Sequence, residues 1–345
     1  MTSLANARTT RYTSVDVFRL MCAVMVVIIH THPLSEIGAT ADFITSQIIP
    51  RIGVPFFFAS AGFFFIKSLL SGKNTAIQYF LRLLRIYTIW SIIYFAIDAV
   101  NLTRSGGSFG ELLKECFIRY FIFGSSNHFW YFPAILFSVL VVALVHKMHL
   151  LKHFSWFTLI LYIVGCLGCS YYKIGNSIPF ISTLINHPQF TTIRRVLLMG
   201  LPFFTIGYFL NVWGDILFSK KKAVYFLPIS VLLWLIEIVI VVTLKLQQNI
   251  IITLFLYPML FIVYMFLLQL NMKISDKIAL YSRISAGFMY YSHPIIIMII
   301  GKLWILLFNK SISPTVNFVI VTISALVGGY LIQKLNNKRI IKLVT

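Results

Sequence analysis

The chain alternates between long apolar runs and short, mostly basic connections. A helix needs about 20 predominantly apolar residues to cross the hydrocarbon core of a bilayer. Ten stretches meet that need: 15–34, 46–70, 77–100, 129–146, 154–172, 195–213, 223–246, 249–271, 284–308 and 315–333. The longest connection, 107–123 (GSFGELLKECFIRYFIF), mixes charged and bulky apolar residues and reads as an amphipathic helix lying in the interface. There is no clear internal repeat and no gap wide enough for a soluble domain of useful size. The pattern therefore predicts an all-α polytopic membrane protein, a single domain over 1–345, multi-pass in the cell membrane.

Composition agrees. Of 345 residues, 59% are hydrophobic and 11% charged, with mean hydropathy +0.90; a soluble domain carries about 25% charged residues. That excludes a soluble enzyme, a disordered chain and a disulfide scaffold. The net charge of +20 would suggest nucleic acid on a soluble face. Here the basic residues sort by side. With ten spans both termini share one side; 15 basic residues fall there and eight fall opposite. The positive-inside rule then makes both termini cytoplasmic, and no nucleic-acid partner is needed.

Few groups are available for chemistry: nine acids, eight histidines and four cysteines. Cys166 and Cys169 sit inside an apolar run and read as packing residues. No metal-ligand cluster, phosphate-binding glycine loop or nucleophile elbow is present. Ionisable groups inside spans are costly in lipid and are functional candidates by default. Arg19 and His30 lie eleven residues apart in the first span, which returns them to within roughly 20° of one helix face, about 16 Å apart along it. That geometry suits an anion held from one side and a base acting near the other. Arg82 and Arg85, at i and i+3, are either a phosphate clamp or a positive-inside anchor. Arg51 enters the second span from the far side. His128, Trp130 and Tyr131 are either an interfacial aromatic belt or part of an outer polar pocket. Glu237 is the deep carboxylate, requiring a partner; Arg51, His30 or the amine of a substrate are the choices. His293, just before Pro294, reads as a structural histidine.

This set of residues resembles the acyltransferase-3 family of integral membrane proteins. Arg19 and His30 match that family's Arg-x10-His, and Arg82 with Arg85 its Arg-x-x-Arg. The second-span run VPFFF with Ala61–Gly62, the HFWY element at His128–Tyr131, PFFTIGY at Pro202–Tyr208 and YYSHP at Tyr290–Pro294 match further motifs. The resemblance covers nearly the whole chain. It implies a ten-helix bundle passing an acyl group from cytoplasmic acyl-CoA to an extracytoplasmic hydroxyl, with arginines on the CoA phosphates and His30 as base.

Within the family, RIGVPFFF, HFWYFPAI and an intramembrane LIE resemble the membrane domains of the serine/alanine racemases of vancomycin-resistance operons. That branch implies binding or transport of L-serine, delivered to a cytoplasmic racemase domain. Such a domain would use pyridoxal phosphate and be joined after the last span, outside this sequence. Glu237 and the deep arginines would then meet the ammonium and carboxylate of L-serine, with His128, Trp130 and Tyr131 beside them. The partners expected are the lipid bilayer, a small-molecule substrate (L-serine, or acyl-CoA plus an acceptor) and, as an open alternative, a second copy of the chain.

Overall fold

The computed structural model describes residues 12–72, 75–105, 108–214, 220–270, 272 and 274–345. Arg8, Arg11, Lys73, Asp215 and Lys273, which entered the charge reading, lie outside them; of Arg104, Lys220 and Lys221 only the backbone is described. Among the described residues there is no strand. The helices are α1 (Thr13–Thr31), α2 (Gly53–Leu70), α3 (Ala76–Ser105), α4 (Phe109–Ile118), α5 (Tyr131–Lys147), α6 (Leu151–Leu167), α7 (Leu201–Val212), α8 (Lys220–Thr243), α9 (Leu256–Gln269), α10 (Asp276–Phe308), α11 (Pro314–Leu335) and the short α12 (Lys338–Ile341). Less regular helical turns lead into α2 from Ala39 and into α7 from Phe190. Counting those lead-ins, eight helical segments among the described residues are long and apolar enough to cross a membrane.

The two remaining expected spans, 154–172 and 249–271, appear as the shorter apolar helices α6 and α9. In the second case the physical reason is visible. Residues 249–255 do not form a helix, and the backbone amides this leaves open at Leu254 and Phe255 donate to Glu237 at 2.5 and 2.8 Å. A broken helix at membrane depth requires such internal partners. The segment 107–123 is the amphipathic element expected: α4, followed by a π-helical turn over Arg119–Phe123.

Local sequence explains where the long helices stop and start. Ser275 caps α10 by accepting from the Ile278 amide, and Ser313 caps α11 from the Val316 amide, each at 3.4 Å. Asn309 and Asn336 close the same two helices in the left-handed region, at φ 49° and 48°. α10 runs for 33 residues with Pro294 inside it, starting eight residues before the predicted 284.

The bundle packs in two parts. α2 and α7 cross at Gly62 and Gly207, where each backbone lies against the other; a Cβ on Gly62 would run into the Phe204 carbonyl. α1, α10 and α11 pack through small residues, with Ala23, Val27, Ala286, Val321 and Ala325 all buried. Large apolar side chains such as Val239, Leu306 and Leu331 stay exposed and form the lipid-facing shell. Tyr12 and Thr345 line the same cavity, so the two described ends of the chain lie together at one end of the bundle.

Candidate functional site: an arginine cavity and a histidine cluster

A cavity of about 740 Å³ opens among α1, α2, α3, α5 and α10. This falls within the range of sites that enclose a whole small ligand. Arg19, Arg82 and Arg283 project into its wall together with Asp16 and Tyr79. The Arg283 Nε lies 3.5 Å from Asp16 Oδ2. Arg82 lies over the Tyr79 ring at 4.9 Å and Arg19 over Phe64 at 5.7 Å. Arg85 is exposed and does not line the cavity, so the i, i+3 pair is divided: one guanidinium lines the cavity and the other stays outside.

At the other end the cavity meets three aromatic rings. Phe57, Tyr131 and Tyr290 all line it and touch one another, with centroids 5.6 to 6.4 Å apart. Tyr290 also donates a hydrogen bond to the His128 carbonyl at 2.7 Å, so its ring separates the cavity from what lies beyond.

Beyond the rings three histidines converge. His293 lies 5.0 Å, centroid to centroid, from His30 and 5.0 Å from His128. His128 and His293 are buried; His30, in the last turn of α1, is exposed. α1 thus carries Arg19 into the cavity and His30 to the cluster, as the shared helix face predicts. His293 is more than the structural histidine expected. A proline at 294 has no amide to give the Tyr290 carbonyl four residues back. His293 Nδ1 donates there at 3.0 Å and to Met289 O at 3.1 Å. That assignment leaves Nε2 as a bare acceptor. Neither His293 Nε2 nor His128 Nε2 has a hydrogen-bond partner among the described residues, although both are buried. The clue was available in the sequence: a histidine beside a helix-breaking proline, in a span of its own.

Trp130 sits two residues after His128 on one tight helical turn, Asn127–Trp130. The Arg195 guanidinium stacks over its ring at 5.2 Å. The sequence pattern put Arg194 and Arg195 at the mouth of a span starting near 195. The structure instead begins the helical run at Phe190 and places Arg194 inside, only 9% exposed.

The Glu237 expectation requires correction. Its carboxylate does not pair with Arg51 or His30. Among the described residues no basic nitrogen lies within 4.0 Å of it. Three donors occupy it instead: the amides of Leu254 and Phe255, and the Tyr171 hydroxyl at 2.9 Å. It also does not line the cavity. Positive partial charge at the start of α9 stabilises a carboxylate there without a cation. Arg51 is likewise engaged locally: its Nε donates to Gln47 O at 2.7 Å and its Nη2 to the Gln47 side chain. Among the described residues no three His, Cys, Asp or Glu side chains are placed to hold a metal ion.

Comparison with known proteins agrees with this architecture. The acyltransferase-3 family model, described as an acyltransferase domain, matches residues 12–334. The chain belongs to that family. An amino-acid racemase of Enterococcus faecalis is 32% identical over 177 residues, 51% of this chain and 24% of the relative. A second from the same species is 32% identical over 179 residues, 50% of this chain and 25% of the relative. A serine/alanine racemase of Enterococcus gallinarum is 26% identical over 172 residues, 48% of this chain and 24% of the relative. The chain therefore spans about a quarter of the length of these curated relatives. No solved structure matches.

Proposed function

We propose that the chain transfers an acyl group from a CoA thioester in the arginine cavity to a hydroxyl at the histidine cluster. The observation that carries this reading is the arrangement of the two compartments. A cavity with three arginines in its wall ends on the rings of Phe57, Tyr131 and Tyr290, and His30, His128 and His293 meet directly behind them. Guanidinium groups suit phosphate oxygens. Arg19 and Arg82 hold the CoA phosphates, and the pantetheine arm lies along the apolar wall of Leu83, Ile86 and Ile135. The thioester then reaches the aromatic partition. The acceptor hydroxyl gives its proton to His30, its oxygen bonds to the thioester carbonyl carbon, and the carbon–sulfur bond breaks. CoA leaves as the thiolate and takes a proton. With both chain ends on the cytoplasmic side, as the basic residues favour, acyl-CoA enters from the cytoplasm and the acceptor from outside.

Binding of radiolabelled acetyl-CoA to the protein in lipid nanodiscs tests the first half of this reading. Micromolar binding that falls at least tenfold in Arg19→Gln/Arg82→Gln supports it. Equal binding in that variant assigns the arginines to topology alone.

A second reading keeps the same fold for amino-acid uptake, with L-serine as cargo. It is favoured by one finding, the racemase names of the relatives that match half of this chain. The two readings separate in proteoliposomes: labelled L-serine accumulation without any acetyl-CoA binding selects the second.

A further inference from the structure

Three arginines that do not line the cavity gather around Cys169 and Trp130. Arg194 is 9% exposed. Its Nη1 reaches only the Cys169 sulfur, at 3.8 Å, and its Nε has no hydrogen-bond partner among the described residues. Arg51 lies close enough to Arg194 for the two charges to repel, and both face Cys169. Arg195 repels Arg194 from the next position, while its guanidinium covers Trp130. Among the described residues no carboxylate lies within 4.0 Å of any of the three.

This arrangement is unfavourable without a ligand. Each ion removed from water costs several kcal/mol unless an opposite charge and good hydrogen bonds offset the loss. Elsewhere in the molecule such offsets exist: Arg283 has Asp16 and Arg119 has Asp98. Here a neutral thiol, an amide side chain and an indole face replace the acid. The local fold also favours the gathering. The chain winds as a π-helix over Arg194–Gly200, and its wider turn lets two consecutive side chains diverge less than in an α-helix. π-helical turns of this kind are frequent at functional sites.

We propose that Arg51, Arg194 and Arg195 form an oxyanion-binding site, and that the acceptor of the acyl group therefore carries a phosphate or carboxylate. The Arg194 Nε edge offers the two-pronged donor set that such groups take. Trp130 ties this site to the chemistry, because His128 stands on the same turn and Tyr290 separates the histidines from the cavity. An acceptor anchored by its anion on the arginines would present a hydroxyl to the histidines. The assignment of the anion to an acceptor rests on the acyl-transfer reading; the anion site itself does not.

The test is the thermal midpoint of the purified protein in uncharged detergent, titrated with inorganic phosphate, with acetate, and separately with phosphatidylglycerol against phosphatidylcholine. A saturable rise in midpoint with phosphate or acetate, weakened at least tenfold in Arg194→Gln and Arg195→Gln and kept in Arg119→Gln, supports the site. A rise with phosphatidylglycerol alone, lost in the same variants, supports it with a lipid headgroup as the source. Arg51→Gln serves as the second variant where Arg194→Gln does not fold. No saturable response from any probe, or an equal response in wild type and all three site variants, overturns the proposal. Acetyl-CoA binding is measured on the same samples: its loss without loss of the phosphate response discounts the acyl-transfer reading and leaves the anion site standing.

Discussion

The molecule holds two groups of arginines, and they are solvated differently. Arg19, Arg82 and Arg283 line a cavity of about 740 Å³, with Asp16 against Arg283 and Tyr79 beneath Arg82. Arg51, Arg194 and Arg195 lie outside that cavity, partly or fully buried, and face a thiol, a glutamine and an indole. The first group faces a volume that a large polyanion can fill. In the second group Arg194 is buried with its Nε unpaired among the described residues, which suits one anionic group. Where the cavity ends, three rings and three histidines form a layer at which, on the acyl-transfer reading, two substrates would meet.

The largest effect expected from breaking this comparison comes from that layer. Removing a general base lowers rates by about 10²–10⁴-fold. His30→Ala should lose at least about 10²-fold of acyl transfer to a hydroxyl acceptor, followed by product mass, while acetyl-CoA binding stays near wild type. Full transfer activity in His30→Ala would remove the histidine from the mechanism. Next in size is the cavity itself. A hydrogen bond to a charged group contributes about 1.5–3 kcal/mol, so one lost arginine amounts to roughly 10- to 150-fold in affinity. Arg82→Gln should weaken acetyl-CoA within that range, and Arg85→Gln, exposed and outside the cavity, should change it by less than about threefold. Equal losses in the two variants would show that both arginines act by field alone.

Much of this was legible in the sequence, and the reason is periodicity. A 3.6-residue helix fixes which residues share a face, so Arg19 and His30 could be assigned to one path before any coordinates. The ten apolar segments follow from run length instead, about 20 residues for each crossing. What could not be read was which partner a buried ion chooses across helices. Glu237 looked like a charge awaiting a cation, but backbone amides exposed by the break at 249–255 satisfy it. His293 looked structural because its proline neighbour demanded a donor, and it does supply one. Its other ring nitrogen, turned into the cluster, depends on the packing of α1 and α5 against α10. Arg194 and Arg195 are not legible as buried because the apolar run begins only at 195, whereas helical turns already run from Phe190.

Glu237 provides a smaller effect and a control for both arginine groups. Glu237→Gln keeps the shape but replaces a charged acceptor with an amide whose nitrogen faces a backbone donor. A buried donor left unsatisfied costs about 1–3 kcal/mol. The variant should unfold at lower denaturant concentration by that amount, yet bind acetyl-CoA and phosphate normally once folded. Selective loss of L-serine binding at unchanged stability would instead give this carboxylate the substrate role that its position in the sequence suggested.

The smallest effect expected lies at the exposed edge of the histidine end. The loop after α1 is fastened to the start of α11: Glu36 Oε1 accepts from the Thr315 amide at 2.9 Å, and the Thr315 hydroxyl donates to the Pro33 carbonyl. Hydrogen bonding from Thr315 holds the Glu36 carboxyl below its ordinary range. A carboxylate with a lowered folded-state value stabilises the fold above its unfolded pKa, about 4.3, and loses that contribution as pH falls through the lower folded value. The fastening should therefore be unchanged between pH 8 and 5 and weaken only in stronger acid. Because Glu36 is fully exposed, global stability should barely register it. The measurement is local: amide exchange at Thr315, corrected for intrinsic pH dependence, in wild type and Glu36→Gln. Wild type should be better protected at pH 6, and the two should converge near pH 3. Protection that is the same in both proteins at pH 6 would show that the helix start is held by the Thr315–Pro33 contact alone, leaving the loop beside His30 without an acid-sensitive tie.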